Sequence, residues 1–193
     1  MPCGDKVHAF SANRLFFLRH MRKENCELPW NETKSYEVRV LRISETGPAR
    51  KIDSPQAALT YWRCSIAKKR WFDEDKEHLV VLILSTRYKI LGHSLVSIGS
   101  LNESLGHPRE IFKAAVAGSA YAIILMHNHP SGDPAPSRSD HSLTKRMEEC
   151  GELLGIRMLD HVIVGKGRLY FSFKEAEEAA AKKDAAKRRT KKK

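Results

Sequence analysis

The chain has 193 residues, with 34 Lys and Arg against 23 Asp and Glu, and its formal net charge is +11. Hydrophobic residues make up 41% of it, enough to bury the core of one ordinary domain, so disordered and collagen-like classes are excluded. The charge is concentrated at one end. Residues 182–193 contain eight basic side chains and one acidic one, whereas the preceding residues carry only +4. The excess positive charge therefore belongs to a tail, and the body is close to balanced.

The cysteines and the apolar runs exclude several further classes of protein. The four cysteines are widely spaced without a Cys-x-x-Cys pair, which argues against a zinc ribbon and against a disulfide-stapled secreted domain. The longest apolar runs, residues 79–84 and 121–126, have the length of strands and are too short to span a membrane. The N-terminus lacks the apolar run of a signal peptide. We therefore expect a cytoplasmic protein without membrane contact.

The pattern of apolar residues predicts a mixed α/β fold with one central sheet. Ser54 and Pro55 are the residue types that favour a helix start, and the apolar run after Glu77 is typical of a strand buried on both faces. In chain order the predicted elements are a strand over 36–43, a helix over 55–66, strands over 77–84 and 95–99, a helix over 108–116, a strand over 120–126, a helix over 139–154, strands over 159–165 and 169–173, and a helix-prone extension after Lys174.

This order of elements divides the chain into three segments. Residues 1–33 show no clear period and form an N-terminal extension that we leave unassigned, and residues 34–173 form the α/β domain. Residues 174–193 form a basic tail, which we expect to be disordered. Its basic residues predict a nonspecific, salt-sensitive attraction for nucleic acid. The candidates are Lys187, Arg188, Arg189, Lys191, Lys192 and Lys193.

One short segment, which follows the predicted strand over 120–126, carries the chemistry. His127 and His129 lie two residues apart at the strand end, so both rings project from the same face. A loop with three prolines, over 130–136, then turns the chain, and Asp140 lies in the first turn of the next helix. Ligands of type His, His and Asp can meet on one metal and leave a fourth position for water, which is the layout of catalytic zinc. We predict one Zn²⁺ per chain.

The segment also resembles a known family. His-x-His-Pro, six residues, then Ser-x-x-Asp is the signature of the JAMM (MPN+/JAB) metalloproteases, and it is found here from His127 onward. The string HNHPSGDP at His127, GIRMLDHVIVG from Gly155 and GSLNESLGHPREIFKAA from Gly99 are similar to the bacterial RadC-type branch, over residues 52–173. The resemblance implies a three-layer sandwich, in which a mixed β-sheet lies between helices, with a JAB/MPN, cytidine-deaminase-like arrangement.

The resemblance further implies the role of each residue in the site. The metal ligands are His127, His129 and Asp140, and they bind zinc. Ser137 helps to hold the tetrahedral intermediate. A glutamate just before a buried strand is the general acid and base, and Glu77 fits that position.

Two other glutamates, Glu103 and Glu110, compete for the acid/base role. Glu110 lies in the first turn of a predicted helix, where the helix dipole alone favours an acidic residue. We therefore favour Glu77.

Nearby polar residues have ordinary interpretations. The letters His-Asn-His do not indicate an HNH nuclease, because the residues of that motif are spread over a ββ-metal-α unit. Asp133 is typical of a turn, and His141 of a solvated helix position. We interpret His161, which enters a strand after Asp160, as a satisfied and partly buried histidine near the site or elsewhere in the core.

Taken together, these patterns predict a cytoplasmic zinc metallopeptidase of JAMM type that cleaves a peptide or isopeptide bond in a protein or peptide substrate. One alternative is a RadC-like accessory protein of DNA repair or of mobile elements, whose role is to bind nucleic acid or a partner. Another is a binding module with a structural metal, which the complete set of five site residues disfavours.

Overall fold

A computed structural model describes residues 51–99 and 106–190 of the chain. The extension over 1–33, the strand predicted over 36–43, and Glu103 lie outside these residues. In the described part, the helices are α1 (Pro55–Tyr61), α2 (Pro108–Ala117), α3 (Arg138–Leu154) and α4 (Phe173–Thr190), and a π-helical turn (Trp62–Ile66) continues α1. The strands are β1 (Glu77–Leu84), β2 (Ile90–Gly99), β3 (Ala122–Asn128), β4 (Arg157–Val164) and β5 (Tyr170–Ser172).

The five strands form one mixed sheet in the order β2-β1-β3-β4-β5. Strand β1 runs antiparallel to both of its neighbours, β2 and β3. Strands β3 and β4 are parallel, and β4 and β5 are antiparallel. Helix α3 forms the crossover between β3 and β4, as parallel neighbours require. The end of β3 and the beginning of α3 therefore lie at the same edge of the sheet as the end of β4.

Alternate residues of the central strands serve two hydrophobic cores, one on each face of the sheet. In β1, Val80, Leu82 and Leu84 pack with residues of α1 and the π-helical turn. Leu79 and Val81 pack on the other face with residues of α2 and α3. Every residue of β1 and β3 is buried. The predicted three-layer α/β sandwich with a mixed sheet is confirmed.

The helices begin and end where the sequence has capping residues. The side chain of Ser54 accepts a hydrogen bond from the backbone N–H of Ala57, and Pro55 occupies the first turn. Helix α3 ends at Gly155, whose backbone is left-handed with φ of 66°, a conformation that glycine adopts without a steric penalty.

Residues 173–190 form helix α4, in the segment where the sequence predicts a helix-prone extension and where we expected a disordered tail over 174–193. Its beginning is tied to the domain, because Lys174 N–H donates to Asp160 Oδ1 at 3.1 Å and the Tyr170 hydroxyl donates to Glu175 Oε2 at 3.0 Å. The side chains over 174–188, Lys187 and Arg188 included, are exposed. Ala, Glu and Lys have high helix propensity, so this segment forms a helix even though it buries little.

Among residues 51–99 and 106–190, none of the helices combines the length and the hydropathy that a bilayer crossing requires.

Candidate metal centre

Four polar side chains converge at the end of the sheet where the central strand β3 finishes. Glu77 is the first residue of β1, and His127 is the penultimate residue of β3. Because β1 and β3 are antiparallel with Leu79 opposite His127, the start of β1 lies beside the end of β3. His129 follows β3 directly, and Asp140 is the third residue of α3. The fold therefore brings together residues that are up to 63 positions apart in the sequence.

The potential ligand atoms of these four residues lie within 4.8 Å of one another. The Nε2 atom of His127 lies 3.0 Å from Nε2 of His129 and 3.2 Å from Oδ1 of Asp140. The Nε2 atom of His129 lies 3.6 Å from Oδ2 of Asp140. Metal–ligand bonds of about 2.0–2.1 Å in a tetrahedral site separate neighbouring ligand atoms by about 3.3 Å. The spacing of the His, His and Asp atoms therefore fits one divalent metal ion.

Glu77 is the fourth member of this group. Its Oε1 atom lies 3.5 Å from Nε2 of His127. Glu110, in contrast, lies on α2 and forms an exposed ion pair with Arg109 at 3.2 Å. Of these two glutamates, the structure places only Glu77 among the potential ligands.

The group is largely removed from solvent. Glu77, His127 and Asp140 are 5%, 0% and 1% exposed, and the side chain of His129 is the most open at 13%. Two buried carboxyl groups so close together are unfavourable unless positive charge compensates them. A divalent cation held by the two histidines and Asp140 would supply that charge, so the donor set and its burial fit a metal centre.

The two carboxyl groups have very different proton affinities. Burial raises the pKa of Glu77 to about 7, and the negative charge of Asp140 adds to this effect. Burial also opposes ionisation of Asp140, but in the metal-free protein the adjacent rings of His127 and His129, together with Ser137, hold its pKa well below the usual range. Asp140 is therefore ionised, and Glu77 exchanges a proton near neutral pH. Such a separation of two carboxyl pKa values is how one site assigns different roles to similar groups.

The orientation of Asp140 follows from the local sequence at the start of α3. Asp140 N–H donates to Ser137 Oγ at 3.2 Å, and Ser137 N–H donates to Asp140 Oδ2 at 2.7 Å. This reciprocal pair is a capping box. Because the helix start holds Oδ2, the other carboxylate oxygen, Oδ1, lies toward His127.

The histidine rings are held by their Nδ1 atoms. His129 Nδ1–H donates to the backbone carbonyl of Asp133 at 2.8 Å, which leaves Nε2 as the free ligand atom. Asp133 also stabilises its own turn, because its Oδ1 accepts from Ala135 N–H at 3.0 Å. The turn role predicted for Asp133 fits this geometry, and its carbonyl adds a role in orienting the ring of His129.

His127 has a partner that the sequence analysis did not assign to the site. Its Nδ1 lies 2.9 Å from Nε2 of His161, and Nδ1 of His161 lies 2.7 Å from Oγ1 of Thr144. His161 is 0% exposed, so it is more deeply buried than we expected. The signal in the sequence was a histidine within the apolar run of β4. Thr144 had no signal beyond its position one helical turn after Asp140.

Comparison with known proteins agrees with this geometry. Residues 52–179 match the family described as RadC-like JAB domain. A UPF0758 protein of Caldanaerobacter subterraneus is 59% identical over 93 residues, which are 48% of this chain and 40% of that protein. A UPF0758 protein of Methanococcoides burtonii is 47% identical over 138 residues, which are 72% of this chain and 58% of that protein. A UPF0758 protein of Chlorobaculum tepidum is 56% identical over 108 residues, or 56% of this chain and 48% of the relative.

The chain spans about half the length of the curated relatives it matches. The family match covers well over half of the chain, and all four residues of the buried group lie within it. The chain belongs to the RadC-like JAB domain family.

Proposed function

We propose that this protein is a zinc-dependent hydrolase of JAMM type that cleaves a peptide or isopeptide bond in a protein or peptide substrate. One observation carries the proposal: a buried group supplies three ligand atoms at tetrahedral spacing, with a carboxyl group of near-neutral pKa beside them. Zinc held by His127, His129 and Asp140 would lower the pKa of a water molecule and polarise the carbonyl group of the scissile bond.

Glu77 is the residue that we assign to proton transfer. A general acid and base works best when its pKa lies near the operating pH, and in the metal-free protein burial raises the pKa of Glu77 to about 7. Its carboxylate accepts a proton from the attacking water and then delivers that proton to the leaving amine. Asp140 stays ionised and would hold the metal while Glu77 changes its protonation state.

Ser137 is the residue that we assign to the oxyanion. Its Oγ accepts a hydrogen bond from Asp140 N–H, and this bond leaves the hydroxyl proton free to be donated. Donation to the developing oxyanion would stabilise the transition state. The assignment rests on the resemblance to JAMM enzymes together with the position of Ser137 beside a metal ligand.

The basic end of α4 supports a weaker proposal. Exposed Lys187 and Arg188 are compatible with a nonspecific attraction for nucleic acid. Both side chains lie on one exposed helix and supply positive charge. Charge alone attracts nucleic acid without sequence preference, so we keep hydrolysis as the proposed function. The cytoplasm is the proposed location.

The test compares Glu77→Gln with Asp140→Asn by zinc per chain and by cleavage of a library of peptides and isopeptides. Glu77→Gln keeps the size of the side chain and removes its basicity. We expect it to retain zinc and to lose roughly 10²- to 10⁴-fold in cleavage rate. Asp140→Asn removes an anionic ligand, so both zinc and activity should be lost.

Glu110→Gln is the matched control, since it removes a carboxylate that lies on α2 away from the buried group. It should leave both zinc content and cleavage unchanged. Full activity in Glu77→Gln would contradict the assigned proton transfer. If the zinc-loaded parent cleaves nothing in the library, a metal-dependent binding module becomes the better explanation.

A further inference from the structure

Two buried polar residues behind the metal centre link two of its ligands. His161 lies on β4, next to β3 in the sheet, and Thr144 lies on α3 one turn after Asp140. Hydrogen bonds join His127 Nδ1 to His161 Nε2 at 2.9 Å, and His161 Nδ1 to Thr144 Oγ1 at 2.7 Å. The Thr144 hydroxyl in turn donates to the backbone carbonyl of Asp140 at 2.7 Å. These hydrogen bonds therefore connect one proposed ligand, His127, to another, Asp140.

The last bond fixes the direction of all the others. The Thr144 hydroxyl has one proton, and the Asp140 carbonyl can only accept it. Thr144 Oγ1 must therefore accept from His161 Nδ1–H. A neutral imidazole with its proton on Nδ1 has a lone pair on Nε2, so His161 accepts from His127 Nδ1–H. His127 is then left with a lone pair on Nε2, which is the atom that faces His129 and Asp140.

The opposite arrangement of protons is incompatible with metal binding. In it, Thr144 would donate to His161 Nδ1 and lose its bond to the carbonyl of Asp140. His161 Nε2–H would then donate to His127 Nδ1. The proton of a neutral His127 would have to lie on Nε2, where a metal ligand needs a lone pair.

We infer that His161 and Thr144 are positioning residues of the metal centre: Thr144 selects the tautomer of His161, and His161 selects the tautomer and the ring orientation of His127. The inference rests on the proposed metal site and extends it to two residues that contact no ligand atom. A histidine ligand ordinarily donates its second ring N–H to a fixed acceptor, and here that acceptor is a second imidazole.

The packing around His161 is suited to this role. The ring stacks on Phe173 with a centroid distance of 5.0 Å and an interplanar angle of 6°. His161 pairs with Leu125 in the parallel register, two residues before His127. Both His161 and Thr144 are buried, at 0% and 5% exposure. The acceptor is therefore held from three sides, by β3, by α3 and by the start of α4.

The experiment compares Thr144→Val with Thr144→Ser in the full chain. Valine has nearly the shape of threonine without the hydroxyl, whereas serine keeps the hydroxyl. Dissociation constants for Zn²⁺ are measured by competition with a chelator, at a temperature where both variants are folded. We expect Thr144→Val to bind Zn²⁺ about 10- to 100-fold more weakly, the usual effect of losing such a supporting bond. Thr144→Ser should bind as the parent does.

A second measurement determines which ring nitrogen of His161 and of His127 carries the proton. Imidazole ¹⁵N chemical shifts of the zinc-loaded parent should show His161 protonated on Nδ1 and His127 ligated through Nε2. Thermal unfolding in the presence of a chelator measures the part of each substitution that is only structural. A purely structural role for Thr144 would lower the melting temperature of the metal-free protein and leave the Zn²⁺ affinity of the folded protein unchanged.

The outcomes separate this inference from the proposed function. If the parent binds no Zn²⁺, the proposed metal site is wrong and the inference fails with it. If the parent binds Zn²⁺ and Thr144→Val binds it as tightly as Thr144→Ser does, the inference alone is overturned. A proton on Nε2 of His161 in the zinc-loaded parent would also overturn it. Weaker binding in Thr144→Val only, with His161 protonated on Nδ1, supports it.

Discussion

Two pairs of buried polar residues lie at the same end of β1 and β3, on opposite faces of the sheet. On one face, Asn128 accepts from His78 N–H at 3.0 Å and donates to the carbonyl of Lys76 at 2.9 Å, so its partners are backbone groups. On the other face, Glu77 and His127 turn their polar atoms toward each other and toward His129 and Asp140. In both pairs, polar groups lose their hydration when they are buried, which is unfavourable unless other interactions compensate.

The contrast between these pairs distinguishes a structural polar group from a site. The Asn128 amide connects the end of β3 to the start of β1, and both its oxygen and its nitrogen have hydrogen-bond partners within the protein. The Glu77 and His127 pair leaves ligand atoms and a carboxyl group of raised pKa facing one small space. Buried polar residues alone therefore do not indicate function; convergence of their free atoms on one point does.

The largest expected effect follows from removing two of the three proposed metal ligands. The double variant His127→Ala/His129→Ala removes two of three proposed ligands, so metal content should fall from about one Zn²⁺ per chain to none. Metal analysis after dialysis measures this. Stoichiometric Zn²⁺ in the double variant would place the metal elsewhere, whereas Asn128→Ala, as the control from the other face, should retain it.

The next effect is a gain in stability on removing the carboxyl group of Glu77. Burial raises its pKa from 4.5 to about 7 in the folded protein. Between these pH values the unfolded chain releases a proton that the folded chain keeps, so the parent loses stability as the pH rises. Glu77→Gln has no such loss. In metal-free protein at pH 8 it should be more stable than the parent, by up to about 3 kcal/mol.

Denaturant unfolding of both proteins in the presence of a chelator, from pH 4.5 to pH 8, measures this difference. The two curves should lie close together at the acidic end and separate as the pH rises. Curves that stay parallel across the range would show that the pKa of Glu77 is not raised in the folded protein.

The next effect is a loss of stability, expected on the face of the sheet that holds Asn128. Asn128→Ala leaves the backbone N–H of His78 without its partner, which costs about 1–3 kcal/mol when such a group is buried. The carbonyl of Lys76 loses one of its two hydrogen bonds and keeps the one from Nδ1 of His78. The free energy of unfolding in urea measures this loss of stability. An equal loss of Zn²⁺ would mean that the two faces are not independent, contrary to the comparison above.

The smallest effect is expected where nothing is buried. Removal of residues 182–193 deletes the end of α4, whose side chains over 182–188 are exposed, so the free energy of unfolding should stay within about 0.5 kcal/mol of the parent. The same truncation should abolish most salt-sensitive binding to nucleic acid, measured by titration with a DNA duplex at two salt concentrations. Equal binding by the truncated protein would place the contact elsewhere.

The sequence predicts those parts of the fold that depend on short-range signals. The apolar run after Glu77 and the Ser54–Pro55 helix start both identify elements that the structure contains. Strand β2 is less well predicted, because its residues are mostly half-buried and do not alternate; it begins at Ile90, five residues before the predicted start. The π-helical turn within the helix predicted over 55–66 has no signal in the apolar pattern.

The same distinction holds for the site. His127, His129 and Asp140 lie in one short segment, and their spacing alone suggests a metal. The assignment of Glu77 depended on the resemblance to the JAMM family, because only the register of β1 against β3 places this residue beside His127. The contact of His161 with His127 depends on the register of β4 against β3, across 34 positions of the sequence, and no local pattern encodes it.

The three proposed ligands lie within 14 consecutive residues, from His127 to Asp140, and this has a consequence for the order in which the protein assembles. Closing so short a segment loses little chain entropy, and its three prolines have already restricted the backbone of the unfolded chain. The ligand loop can therefore approach its final shape before the distant strands have paired. Glu77 arrives only when β1 docks against β3, so the capacity to hold a metal would precede the capacity to move a proton.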